Sequence, residues 1–145
     1  MNEQSTQASL DQIELMKQFI GSWQCECSKD TFLIIENTPF GSGMVSNCKI
    51  ATKDEILDSI IQLYGYDREA DRFIMTELIK SSAVLEICYI KFISRTKGEM
   101  VVTNTENAKY KWNFEFKTPD TIVQQAILDD NIAKEVTLKR VKSDP

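Results

Sequence analysis

Between Lys109 and Lys117 the chain alternates without a break. Tyr110, Trp112, Phe114 and Phe116 fall on one side, and Lys109, Lys111, Asn113, Glu115 and Lys117 on the other. A backbone presents such a row with period 2 as a β-strand, one face buried and the other wet. A line of aromatic rings on the buried face needs a second apolar layer to pack against, so the strand demands a sheet that stacks or closes on itself.

The rest of the chain keeps a compatible rhythm. Strands are predicted over 43–51, 56–66, 72–79, 84–94, 99–105, 109–117, 121–128 and 133–142. Between them lie Lys53-Asp54-Glu55, the Asp67–Asp71 stretch, Ser81-Ser82, Lys97-Gly98, Glu106-Asn107, Pro119-Asp120 and Asp129-Asp130-Asn131. These are turn-forming residues, and short turns join antiparallel neighbours. Residues 31–36 are apolar and read either as a further strand or as a connecting segment, with Pro39, Gly41 and Gly43 breaking whatever precedes them.

Only the start of the chain has a different period. Over residues 8–20, Leu10, Ile13, Met16 or Lys17, and Ile20 stand at helical spacing, with Ser9 as N-cap, Asp11 in the first turn and Gly21 as the stop. After Gly21 the period falls to 2, placing Trp23, Cys25 and Cys27 on one face. The pattern predicts a mainly β fold: an antiparallel up-and-down β-barrel of eight to ten strands with one short N-terminal helix. Closure hides the edge strands that an open meander would expose. No linker, repeat or charge block divides the chain, so one domain is expected over 8–142, preceded by a disordered segment over 1–7.

Charge and residue usage exclude several function classes. The net charge of −5 and a pI of about 4.8 oppose binding to nucleic acid or to anionic membranes. The longest aliphatic runs, Leu33-Ile34-Ile35 and Ile60-Ile61, fall far short of the ~20 residues of a membrane span. Residues 1–10 lack the apolar core of a secretory signal, and a cytoplasmic location is expected. Cys25, Cys27, Cys48 and Cys88 are then free thiols of the core. A zinc site built on Cys25-x-Cys27 is the less favoured reading, because structural zinc draws on knuckles in loops. No metal is predicted.

The chain contains no histidine, which removes the commonest general base and the base of Ser or Cys nucleophile triads. Asp58 and Glu77, carboxylates within strand patterns, are the remaining acid/base candidates, and solvated strand faces account for them more simply. No catalytic residue is assigned. No phosphate loop or dinucleotide fingerprint is present, since Gly41-Ser42-Gly43 does not open a helix, and no cofactor is expected.

The helix followed by Gly21-x-Trp23, the Tyr66-Asp67 that ends a strand before Asp71-Arg72-Phe73, and Arg140 in the last strand resemble the lipocalin-like (calycin) β-barrels. The likeness is greatest to the bacterial lipocalin-like families of unknown function. It implies that the Trp23 indole plugs the closed end of the barrel and that Arg140 packs across it. Relatives that bind haem ligate iron through a histidine, so that activity is not implied here.

In such a barrel the inward face lines any cavity. Trp23, Ile61, Met75, Tyr110, Trp112, Phe114 and Arg140 are the candidate ligand-binding residues, with Met44, Met100, Tyr64 and Thr76 as further wall. The expected function is binding of a small, largely apolar ligand. The alternatives are a ligand-free interaction module, with a homodimer as one form, and an isomerase-like enzyme using Asp58 or Glu77.

Overall fold

The computed structural model describes residues 9–142. The segment 1–7, expected to be disordered, lies outside the described residues. Helix α1 (Gln12–Met16) continues into a 3₁₀ turn (Lys17–Phe19). Ten strands follow: β1 (Gly21–Ser28), β2 (Thr31–Phe40), β3 (Gly43–Ala51), β4 (Ile56–Asp67) and β5 (Arg72–Ile79), then β6 (Leu85–Phe92), β7 (Lys97–Val102), β8 (Lys111–Thr118), β9 (Thr121–Leu128) and β10 (Asn131–Val141).

Each strand pairs antiparallel with the next, and β1 pairs with β10, so the sheet closes into an up-and-down barrel. The closing seam is short, Ser22 opposite Val141, Trp23 opposite Arg140 and Gln24 opposite Lys139. No helix among the described residues is long and apolar enough to cross a membrane.

Three local features differ from the sequence expectation, each for a physical reason, and the predicted turn at Asp129-Asp130 forms. The helix begins later than residue 8, capped by Asp11, whose carboxylate accepts from the Glu14 amide at 3.1 Å, and not by Ser9. The segment after Ser28 is a strand that runs through Pro39 to Phe40. Proline is tolerated there because Pro39 lies one residue from the strand end, opposite Met44. The stretch 103–110 is a loop with a 3₁₀ turn, Glu106–Lys109, so β8 starts at Lys111 and Tyr110 precedes it. At the β9–β10 turn, Asp129 and Asp130 both take positive φ (51° and 65°), the backbone of a tight hairpin whose twist matches its strands.

The helix fills one end of the barrel. Gln12, only 2% exposed, pairs with the main chain of Phe92: its amide donates to the Phe92 carbonyl at 3.0 Å and its carbonyl accepts from the Phe92 amide at 2.8 Å. Below it the ring of Phe19 packs edge-on against Phe114 and Phe116, with centroids 5.3 and 4.9 Å away. Trp23, Phe92 and Met16 complete this plug. The opposite end carries the β1–β2, β3–β4, β5–β6, β7–β8 and β9–β10 connections.

Candidate functional site

Between the plug and the opposite end, the side chains leave an interior chamber of about 280 Å³. Its apolar wall includes Leu33 and Ile35 of β2, Met75, Met100, Trp112 and Leu138. Its polar wall is made by Asn37 of β2, Gln62 and Tyr64 of β4, Glu77 of β5, Glu86 of β6, Asn107 of the β7–β8 loop and Gln124 of β9. All the strand residues among them occupy inward positions of the alternation, so the barrel's own pleat delivers them to the chamber.

The polar groups form two linked sets. The Tyr64 hydroxyl donates to Gln62 Oε1 at 2.7 Å, and Gln62 Nε2 donates to Glu77 Oε1 at 2.6 Å. On the facing strand Glu86 Oε2 accepts from the Thr105 hydroxyl at 2.7 Å and from Asn107 Nδ2 at 3.0 Å, which ties the 103–110 loop to β6. Glu77 and Glu86 stand directly opposite each other in the β5–β6 ladder. Directly opposed positions bring Cβ atoms to about 4.5–5.5 Å, where like charges repel. No lysine or arginine lies in the wall among the described residues.

Burial shapes the titration of these groups. It pushes the Glu77 carboxyl above its ordinary value, against the pull of the Gln62 amide and with a further push from Glu86. Burial likewise raises the Tyr64 phenol, with the neighbouring thiols and Glu77 adding to the effect. The Cys88 thiol, buried beside Glu86 and Glu77, is pushed up to about 12, so it remains a neutral thiol at neutral pH.

The residues singled out in the sequence are distributed along the barrel. Met75 and Trp112 lie in the chamber wall, Trp112 anchored by its indole N–H donating to the Asn107 carbonyl at 3.2 Å. Trp23 and Phe114 lie in the plug and not in the chamber. Arg140 also serves the closed end. Its guanidinium carbon sits 4.2 Å from the Trp23 ring centroid while its nitrogens donate to the carbonyls of Gln18, Ile20 and Pro119. Tyr110 sits just before β8 and touches Trp112 edge-on, at 5.7 Å between centroids.

Ile61 requires a correction. It points outward and is 50% exposed, while Ile60 and Gln62 on either side of it line the chamber. In Ile60-Ile61 two adjacent apolar residues leave the phase of the alternation open, and a one-residue slip exchanges the faces. Of the further wall residues, Tyr64 and Met100 line the chamber. Met44 is buried in the core, and Thr76 alternates with the inward Met75 and Glu77 and so faces away from them.

The carboxylate candidates separate. Asp58 accepts from the Ser81 hydroxyl at 2.5 Å and from the amides of Ser59 and Ser81. These bonds hold its carboxyl below the ordinary value, and it ties the start of β4 to the residues following β5. Glu77 is in the chamber. Sequence reasoning missed Gln62, Glu86, Asn107 and Gln124. Glu86 was findable: it stands at period 2 with Cys88, Ile90 and Phe92, all buried.

All four cysteines are free. Cys48 and Cys88 are buried, Cys25 is half-buried and Cys27 is exposed. Cys27 therefore lies outside the core expected for it, at the solvent end of β1. Comparison with family models, with curated proteins and with solved structures returns no match for this chain.

Proposed function

We propose that the barrel binds a small, largely apolar ligand in its interior, as lipocalin-like barrels do. The observation that carries this reading is the chamber of about 280 Å³ above a solid aromatic plug. Ligand sites usually run to about 300–1,000 Å³, and a chamber just below that range takes a small occupant. Its wall combines apolar surface with a few fixed hydrogen-bonding groups, the composition that gives both affinity and orientation. The isomerase-like alternative rests on Glu77 alone, because Asp58 is committed to its turn; reversible binding requires no chemistry from either.

Native mass spectrometry of protein purified from its own host, beside a denatured control and the Ile60→Trp variant, tests the reading. An extra mass released on denaturation and missing from the variant, whose indole fills the chamber, supports it. An apo mass, together with no uptake of indole or toluene by the wild-type chamber, overturns it.

A second reading has its own observation. On the outside of β4–β6, Ile61, Leu78 and Leu85 form a row by ladder register, each 43–50% exposed, with Leu63 beside it. Exposed apolar faces of this kind mark association surfaces. A second copy of this chain, packed by two-fold symmetry, would cover the row with the same row. Analytical ultracentrifugation of the wild type and of Leu78→Lys decides it: a dimer that the substitution dissociates supports the reading, and a monomeric wild type rejects it.

A further inference from the structure

The chamber's polar wall is unbalanced. It holds two carboxylates, Glu77 and Glu86, from directly opposed ladder positions, and no basic side chain to neutralise them among the described residues. None of the ion pairs formed among the described residues includes either one. Glu77 leaves acceptor capacity unused: it receives only the Gln62 amide, although an ionised carboxylate offers about four lone-pair sites, while Glu86 accepts from Thr105, Asn107 and the Cys88 thiol.

A second observation at the other end of the same chamber also points to an occupant. Asn37, 7% exposed, stands at an inward position of β2 with Leu33 and Ile35 and lines the chamber. Its Nδ2 donates to the Phe19 carbonyl at 2.8 Å, but its buried Oδ1 has no hydrogen-bond partner. An orphaned buried acceptor is destabilising, so a fold retains one most readily where something else supplies the donor.

We propose that the chamber's ligand is a small organic cation, a protonated amine on an apolar or aromatic body, with its ammonium held between Glu77 and Glu86. This rests on the chamber being the binding site. An ammonium supplies both the missing positive charge and several N–H donors, and charge-assisted bonds to carboxylates are the strong ones. Leu33, Ile35, Leu138 and Trp112 then enclose the apolar body, and Asn37 Oδ1 accepts from a hydroxyl or N–H at its far end. A metal ion fits less well, since no group of three or more His, Cys, Asp or Glu side chains is placed to hold one among the described residues.

The test compares 2-phenylethylamine, 2-phenylethanol and 3-phenylpropionate, matched in body and differing in head. Binding is read from the methyl resonances of Met75 and Met100 in the chamber wall, in ¹³C-methyl methionine protein. The amine is expected to bind about ten-fold or more tighter than the alcohol, and the acid weakest. In Glu77→Gln/Glu86→Gln that preference should vanish, amine and alcohol binding alike; the unliganded methionine spectrum verifies that the variant is folded. Glu77→Asp, which keeps the charge, should keep the preference for the amine.

Equal binding of amine and alcohol to the wild type, or an amine preference that survives in the double Gln variant, overturns the cation proposal and leaves the chamber as a site. If none of the three ligands moves the Met75 and Met100 resonances, the chamber reading fails and the cation proposal with it.

Discussion

Arg140 and Trp23 are paired across the seam that closes the barrel, and the guanidinium lies over the indole, 4.2 Å from carbon to ring centroid. The same guanidinium bonds to Asp120 at 2.9 Å and to three main-chain carbonyls, two of them on the segment entering β1. One side chain thus joins the last strand, the β8–β9 turn and the end of the helical segment. Arg140→Ala should cost about 2–4 kcal/mol by urea denaturation, as charge-assisted bonds and a cation–π contact are lost together. Arg140→Lys should recover less than half, because an ammonium cannot reproduce the planar fork. Full recovery by lysine would show that charge alone matters.

Gly21 is fixed by that same arginine. Its φ is +121°, and a Cβ there would lie 2.5 Å from the guanidinium Nη1. Gly21→Ala therefore combines backbone strain with displacement of Arg140, and a loss of about 2 kcal/mol or more is expected. In the Arg140→Ala background the clash is gone, and the alanine should cost only the strain. A double-mutant cycle measures the difference, and simple additivity would rule out the coupling.

Gln12 docks the helix by imitating a strand partner to Phe92. Gln12→Ala leaves the Phe92 N–H and C=O without partners in a buried place, so a loss of about 2–4 kcal/mol is expected. The Phe92 amide should then exchange with solvent much faster than those of β3 or β9. Unchanged protection at Phe92 would mean that the helix is held by Met16 and Phe19 alone.

Glu77 gives the unliganded protein a pH-dependent stability of definite sign. Its folded-state value is raised, so the folded form keeps the proton to higher pH than the unfolded chain, whose glutamate titrates near about 4.3. Stability from this group is then full below that pH and is lost as pH rises through the folded value. The charged groups facing it are few: Glu86 across the ladder, with the thiols and Tyr64 neutral at neutral pH. Glu77→Gln should melt above the wild type at pH 7, with the gap closing below about pH 4. A gap that does not change with pH would show that burial beside Glu86 does not hold the carboxyl above its ordinary value.

Along β8 the alternation is strict and each residue's face is legible, and Trp112, Phe114 and Phe116 do line the interior, from the chamber down into the plug. Tyr110 is the exception, because the loop before β8 is held by bonds from Thr105 and Asn107 to Glu86, about twenty residues away in sequence. Ile60-Ile61 shows the opposite failure: with apolar residues on both faces, local pattern carries no phase, and only pairing with β3 and β5 sets it. Pro39 shows a third, since whether a proline ends a strand depends on where its missing N–H would have pointed.

What the sequence by itself determined was the period: a helix that stops at Gly21, then strands joined by short turns, and from that an antiparallel barrel; Trp23 and Arg140 at its closed end were implied only by the likeness to lipocalin-like barrels. Period is a local property, written in the spacing of apolar side chains along a few residues. Only the tertiary structure decided that the barrel keeps a chamber, and that Glu77, Glu86, Gln62 and Asn37 face it. Those residues come from four strands, and what each meets across the interior is set by register and by closure. That is a relation among residues far apart in the chain, which no local spacing can express.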